Sequence, residues 1–205
     1  MTPSVFLPGT IYQEIIQHSR EGKPEEICGI LRGQRNHAFE LIRARNIASE
    51  RVDNYTVDPT TLLLQFSFEE AGDEMMGIYH SHPTSPAYPS ATDAWNAGYP
   101  DSYYFICSLE NEDAPDLRCF GMVWQFIEPD WHAIRQSLEF YETRPGLFAH
   151  FVAQEAPLPA VLEKDCATLT RPFYLVYYVP DHDESQFEGR IVTVTEFSVE
   201  SRDPA

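Results

Sequence analysis

The segment of residues 75–93 constrains the fold more than any other part of the chain. It opens with a short apolar run, Met75–His80, which predicts a buried strand that emerges at a surface. Three prolines between residues 83 and 89 then forbid regular structure and stiffen a loop. Ser90 can cap a helix over residues 91–99. The segment therefore predicts a strand, a rigid loop and a helix in close succession.

Three side chains of this segment are predicted to hold a metal ion. Residues two apart on a strand project to the same side, so His80 and His82 can bring two imidazoles to one point while Ser81 faces away. Residues three apart share a face at the start of a helix, so Ser90 and Asp93 point in one direction. If the loop folds the helix over the strand end, Asp93 becomes a third ligand. Two nitrogens and one carboxylate oxygen leave a tetrahedral zinc with one open position, which is typical of catalytic sites.

This ligand set predicts hydrolysis of a carbonyl compound. Zinc can lower the pKa of bound water from ~15.7 to about 7, which makes hydroxide available at neutral pH. Another group must take the proton and pass it to the leaving amine. Glu26, at the start of an apolar strand predicted over Glu26–Arg32, is the candidate general acid/base. Ser90 can donate its hydroxyl to the oxyanion of the tetrahedral intermediate.

Three motifs resemble the signature of the JAMM/MPN+ metallopeptidase family. They are Pro-Glu-Glu-Ile-Cys-Gly at residues 24–29, Gly-Ile-Tyr-His-Ser-His-Pro at 77–83 and Tyr-Pro-Ser-Ala-Thr-Asp at 88–93. The resemblance covers about the first 127 residues and is greatest to the stand-alone bacterial and archaeal members. It implies an α+β fold, a curved mixed sheet flanked by helices.

The same resemblance implies a reaction and a substrate class. It assigns one zinc ion to His80, His82 and Asp93, the general acid/base to Glu26, and stabilisation of the intermediate to Ser90. Family members cleave peptide or isopeptide bonds after the C-terminal glycines of ubiquitin-like proteins, and some prokaryotic members process sulfur-carrier proteins of that fold. A Gly-Gly tail of either kind is therefore the expected substrate.

The remaining elements favour a mixed α/β or α+β sandwich. The expected elements are a helix from Thr10, a hairpin of Glu26–Arg32 and Ala38–Arg45, a helix from Asp58 towards Glu70, and strands over Tyr103–Leu109 and Leu117–Ile127. We assign residues 1–127 to the metallopeptidase domain and 128–205 to an extension packed on it. The extension is expected to contain a helix through Tyr141 and two closing strands, Phe173–Val179 and Arg190–Phe197, as a helix-plus-hairpin unit.

Charge and composition exclude several classes of partner. The formal net charge is −18, with 14 basic against 32 acidic residues, which disfavours binding to nucleic acid and to anionic membrane surfaces. No run of eighteen apolar residues and no secretory leader pattern is found, so a soluble, cytoplasmic protein is expected. The four cysteines are far apart, and a cysteine-based zinc ribbon or disulfide scaffold is not expected.

Several alternative interpretations use the same residues. Ser90 and Asp93 alone could be a helix-capping pair. Glu25 is a rival to Glu26, although its position relative to the following Cys-Gly pair is less suitable. Cys28 could be imagined as a nucleophile, but a buried strand cysteine is the more common case.

Two alternatives concern the function of the whole chain. One is a non-catalytic MPN-type module that binds a ubiquitin-like partner, which would normally have lost its metal ligands. The other is a zinc deaminase, which would require cysteine ligands in a Pro-Cys-x-x-Cys setting that this chain lacks.

Overall fold

The computed structural model describes residues 3–201, with His182 described by its backbone alone. The helices in this range are α1 (Gly9–Gly22), α2 (Pro59–Leu62), α3 (Leu64–Glu70), α4 (Ala91–Asn96), α5 (Trp131–Ser137) and α6 (Glu163–Cys166). The strands are β1 (Ser4–Leu7), β2 (Cys28–Gln34), β3 (His37–Ala44), β4 (Glu74–His82), β5 (Tyr103–Ser108), β6 (Asp116–Gln125), β7 (Tyr141–Arg144), β8 (Leu147–Val152), β9 (Phe173–Tyr178) and β10 (Glu188–Ser201). Within the described range, no helix is long and apolar enough to cross a membrane.

The first of two units takes in the described parts of Met1–Tyr88, Asp101–Gly121 and Glu196–Ala205. Its strands follow the order β1-β3-β2-β4-β5-β6. The predicted hairpin of β2 and β3 is confirmed, and β4 runs antiparallel to β2 and parallel to β5. The end of β10 belongs to this unit and pairs in parallel with β1. The sheet is mixed and is accompanied by helices, so the predicted α+β class is confirmed.

Helix α1 packs on one face of this sheet. Its buried side chains recur at helical spacing and enter a cluster with Tyr79 of β4 and Phe105 of β5. They are Ile11, Ile15 and Ile16. Burying such a side chain contributes roughly 1.5–3 kcal/mol of transfer free energy. Because successive strand residues alternate between faces, His80 and His82 project from the face of β4 opposite to that of Tyr79.

The second unit takes in Pro89–Pro100 and Met122–Thr195. Strands β7, β8, β9 and β10 pair in succession as an antiparallel meander. A buried cluster joins Phe173 and Ile191 of this meander to Ile134 of α5 and Cys166 of α6. Helix α4, which carries Ser90 at its N-cap, also belongs to this unit.

The extension contains a hairpin that the sequence analysis does not predict. The helix after Asp130 ends at Ser137, so the prediction that it runs through Tyr141 is wrong, and β7 and β8 follow it. The aromatic residues of this segment have the spacing expected of a helix, but the backbone there forms the two strands β7 and β8. Gly146, with φ of 77°, supplies the left-handed conformation that the turn between the two strands requires. The two predicted closing strands are confirmed.

Three predicted helices have different bounds in the structure. Helix α1 starts at Gly9, and Pro8 rather than Thr10 occupies its N-cap position. The helix capped by Asp58 is divided at Leu63 into α2 and α3. Helix α4 ends at Asn96, three residues before the predicted end, because the backbone of the next residue leaves the helical region.

Candidate metal centre

The two histidines lie at the end of β4 on the face opposite to α1. Cys28 of β2 is the register partner of His80. Directly opposed residues of an antiparallel pair project to the same face. Continuing this register by two residues sets Glu26 opposite His82, on the face that carries both imidazoles. Glu26, His80 and His82 are all buried.

Hydrogen bonding fixes the protonation pattern of His82. Its Nδ1 lies 2.8 Å from the carbonyl oxygen of Pro86, in the proline-rich loop. A carbonyl can only accept, so Nδ1 carries a proton, and in the neutral imidazole the lone pair then lies on Nε2. The Nε2 atoms of His80 and His82 are 3.1 Å apart. The loop thereby orients the His82 ring so that its Nε2 points towards the His80 ring.

Helix α4 supplies the carboxylate. Ser90 and Asp93 form a capping box, in which the Asp93 amide donates to Ser90 Oγ at 3.1 Å and the Ser90 amide donates to Asp93 Oδ2 at 2.7 Å. The interpretation of this pair as a helix cap is therefore correct, since both capping bonds are present. The bond from the Ser90 amide also orients the Asp93 side chain. Asp93 is buried, whereas Ser90 is exposed.

The structure brings the three predicted ligands together. One ligand atom from each of His80, His82 and Asp93 lies within 4.8 Å of the other two. Zinc–nitrogen bonds of about 2.0–2.1 Å at a tetrahedral angle place two ligand nitrogens about 3.3 Å apart, close to the observed 3.1 Å. A ligating histidine usually donates its second nitrogen to a carbonyl or a carboxylate, as His82 does. The donor set and its spacing fit a divalent metal such as zinc.

The backbone of Glu26 is held at both of its polar groups by the loop that follows β3. Its amide donates to the carbonyl of Arg51 at 2.7 Å, and its carbonyl accepts from Asn46 Nδ2 at 2.8 Å. Asn46 also bonds the carbonyl of Asn54 and the amide of Thr56, so its side chain fixes the loop as well. The backbone that carries the buried Glu26 side chain is thus fixed by two hydrogen bonds.

Sequence reasoning missed three residues that shape this site. Tyr55 stacks on His80, with ring centroids 4.1 Å apart and an interplanar angle of 19°. Asn46 anchors the loop that carries Tyr55. Ser81, beyond facing away from the histidines, accepts from the amide of Ile27 through its Oγ at 3.0 Å and so fixes the entry to β2. An isolated asparagine or tyrosine in a loop gives no periodic signal, and only the long-range contacts identify these residues.

The thiol alternative receives no support from the environment of Cys28. Burial, followed by the nearby charges of Asp58 and Glu26, raises the pKa of the Cys28 thiol to about 12. The thiol is therefore protonated at neutral pH and is a poor nucleophile. All four cysteines are free and buried, so none supplies a disulfide.

The first part of the chain is similar to known proteins. The model of the family described as prokaryotic homologs of the JAB domain matches residues 8–122. A protein named desampylase from Haloferax volcanii is 39% identical over 118 residues, which are 54% of this chain and 80% of that protein. The CysO-cysteine peptidase of Mycobacterium tuberculosis is 31% identical over 126 residues, 56% of this chain and 86% of that one.

A solved structure has a similar fold. The solution structure of a protein from Desulfitobacterium hafniense superposes with a TM-score of 0.52 at 30% identity, and covers 57% of this chain and 83% of its own. The resemblance noted in the three sequence motifs is therefore confirmed. The chain belongs to the prokaryotic homologues of the JAB domain.

Proposed function

We propose that the chain is a zinc-dependent metallopeptidase of the JAMM type. Its substrate is the bond that follows the C-terminal Gly-Gly of a ubiquitin-like or sulfur-carrier protein, either as a peptide or as an isopeptide. The names of the relatives, desampylase and CysO-cysteine peptidase, support a substrate of this class. The observation that carries the proposal is the convergence of His80, His82 and Asp93 on one point.

Each of five residues has a defined task in this proposal. His80, His82 and Asp93 would hold the ion, which when bound supplies a Lewis acid that polarises the carbonyl and activates water at neutral pH. Glu26 accepts the proton of the attacking water and delivers it to the nitrogen of the departing amine. Its burial on the histidine face and its doubly bonded backbone support this task.

Ser90 can cap α4 and assist the reaction at the same time. A hydroxyl has one proton and two acceptor lone pairs. The capping bond from the Asp93 amide uses a lone pair, which leaves the proton free to be donated to the oxyanion of the intermediate. Exposure of Ser90 supports its access to substrate.

We further propose that residues 1–127 carry this chemistry as the metallopeptidase domain, with 128–205 as its extension, and that the reaction takes place in the cytoplasm. Four free cysteines suit a reducing compartment. The family match over residues 8–122 supports the domain assignment.

The test combines metal analysis with cleavage of a panel of Gly-Gly-linked conjugates and sulfur-carrier adducts. We expect about one zinc ion per wild-type chain and cleavage of at least one conjugate. Glu26→Gln should retain zinc and lose about 10²–10⁴-fold in cleavage rate, because it removes a general acid/base but no ligand.

Glu25→Gln is the matched control for this experiment. Glu25 is the neighbouring carboxylate, but its side chain is 46% exposed and pairs with Arg51 at 3.1 Å. Its replacement should leave the cleavage rate unchanged. Full cleavage by Glu26→Gln would remove Glu26 from the mechanism. An intact panel, with a conjugate bound but not cut, would favour the non-catalytic binding module.

A further inference from the structure

Helix α4 carries Asp93, yet it is too short to fix its own position. It has six residues, from Ala91 to Asn96. Isolated helices shorter than about 12–15 residues are marginal in water, so packing must stabilise one of this length. The capping box sets its first turn but does not anchor it to the rest of the fold. The contacts that hold α4 therefore determine where the Asp93 carboxylate lies.

One anchor is at the start of the helix. Tyr174, the second residue of β9, is buried and donates its phenolic hydroxyl to the carbonyl oxygen of Pro89 at 2.8 Å. Pro89 immediately precedes Ser90, the N-cap of α4. The bond fixes the chain at the point where the proline-rich loop enters the helix.

A second anchor is at the end of the helix. Arg190, from β10, donates through Nη1 to the carbonyl oxygen of Trp95 at 2.5 Å. Its guanidinium carbon lies 3.8 Å from the ring centroid of Trp95 and 3.8 Å from that of Trp124, so the cation is held between two indoles. Glu188 accepts from Nε and Nη2 of the same group and orients it. One side chain, Arg190, thus both donates a hydrogen bond to the last turn of α4 and stacks on its tryptophan.

The anchoring residues lie beyond residue 122, where the match to the family ends. We propose that Tyr174 and Arg190 are positioning residues of the metal centre, through which the extension fixes the helix that carries the Asp93 carboxylate. This inference rests on the proposed function of the three ligands. It assigns a task to the extension, which holds the helix that carries one ligand.

Zinc affinity is the property that tests this proposal. We expect Arg190→Met to weaken zinc binding about 10–100-fold in competition with a chromogenic chelator, as losses in the shell around metal ligands do. Tyr174→Phe removes one hydroxyl and keeps the buried ring, so a smaller loss in the same direction is expected. Measurements are made on the full chain, well below the unfolding temperature of each variant.

Arg135→Met is the matched control variant. Arg135 lies in the same unit, is bonded twice to Glu184 and is placed over the rings of Tyr177 and Phe187, but it does not bond α4. We expect it to lose stability to a similar extent and to bind zinc like the wild type. Equal zinc affinities for Arg190→Met and Arg135→Met would overturn the proposal.

Hydrogen exchange gives a second readout that needs neither zinc nor substrate. The amides of α4 in the metal-free protein should exchange faster in Arg190→Met than in Arg135→Met, because only the former loses the anchor of the last turn. Unchanged exchange in α4 would contradict the anchoring role. If the wild type binds zinc but cleaves no conjugate, the proposed function alone is contradicted. The comparisons of zinc affinity and of hydrogen exchange between Arg190→Met and Arg135→Met still test the anchoring role.

Discussion

Ser90 and Asp93 stabilise the start of a helix and, in the proposed function, also serve the reaction site. Each makes a capping bond to the backbone of the other. The cap uses a lone pair of the serine oxygen rather than its hydroxyl proton, and it uses one of the two oxygens of the aspartate carboxylate. The two interpretations of this pair from the sequence are therefore compatible, because they use different atoms.

Substitutions of Ser90 can separate the two tasks. Ser90→Ala should cost about 1 kcal/mol of unfolding free energy through loss of the cap, whereas Ser90→Gly should cost only a few tenths, about 0.3 kcal/mol. Both lack the hydroxyl, so both should lower the cleavage rate by about 10²–10³-fold. Urea unfolding and steady-state kinetics on the two variants check this. A Gly variant with full activity would show that the hydroxyl does no more than cap.

His18 predicts an acid sensitivity of the first unit. Its Nδ1 lies 2.9 Å from the hydroxyl of Tyr79, and burial, followed by the charge of Arg43, lowers the pKa of His18 from 6.5 to about 4. The folded state therefore disfavours the proton that the unfolded chain binds near pH 6.5. The stabilisation is fully present above pH 6.5 and is lost as the pH falls towards 4.

The expected loss is on the order of 1–2 kcal/mol, since solvent screens a partly exposed group. His18→Gln keeps an acceptor for the Tyr79 hydroxyl but cannot bind the proton. Urea midpoints measured between pH 4 and 7 should fall less steeply for this variant than for the wild type. If the urea midpoints of the two proteins fall equally steeply with pH, groups other than His18 cause the acid sensitivity.

At the level of elements, the β2–β4 pair determines where Glu26 lies. The hydroxyl of Ser81 accepts from the buried amide of Ile27, and the Ser81 amide donates to the Ile27 carbonyl at 3.1 Å. These bonds continue the pairing of β2 with β4 to Ile27, one residue before the start of β2. They hold the backbone next to Glu26 against the strand that carries both histidines.

Ser81→Ala should therefore destabilise the protein by about 1–3 kcal/mol, because it leaves a buried amide without its partner. The cleavage rate should also fall, because Glu26 is adjacent in the chain to Ile27, whose amide loses its partner. Ser67→Ala is the control, since the hydroxyl of Ser67 bonds a carbonyl within an exposed part of α3 and its loss should change stability by less than about 0.5 kcal/mol. Denaturant titration compares the two; equal stabilities would show that water replaces the Ser81 hydroxyl.

Local patterns predicted those elements whose signals are short-range. The strand with two histidines, the Ser90 cap and the Asp58-Pro59 helix start were all read from neighbouring residues, and the structure confirms these elements. The hairpin of β7 and β8 was missed because aromatic residues at helix-like spacing hide a strand alternation. The stacking of Tyr55 and the anchoring of α4 by Arg190 depend on contacts across long stretches of chain, which no local pattern encodes.

At the level of the whole molecule, the first unit includes residues that lie outside the part that matches the family. The end of β10 pairs in parallel with β1, with Ser4 opposite Ser198 and Leu7 opposite Ser201. Tyr174 and Arg190, which anchor α4, also lie after residue 127. The segment after residue 127 therefore contributes a strand to the first unit as well as contacts to α4.

Truncation after Ile127 should therefore abolish cooperative folding and zinc binding. Circular dichroism during heating and metal analysis of the purified fragment check this outcome. A truncation after Ser201 keeps every described strand pairing and should behave like the full chain. A folded, zinc-binding fragment of residues 1–127 would show that the extension is dispensable for the metal centre.

The placement of Arg190 between two indoles has an optical consequence. Indole emission responds to a nearby cation, and Trp95 lies two residues after Asp93 on the same short helix. A shift of α4 on metal loading would change the distance between this indole and the guanidinium. Intrinsic fluorescence recorded during a zinc titration would report such a shift without an added dye.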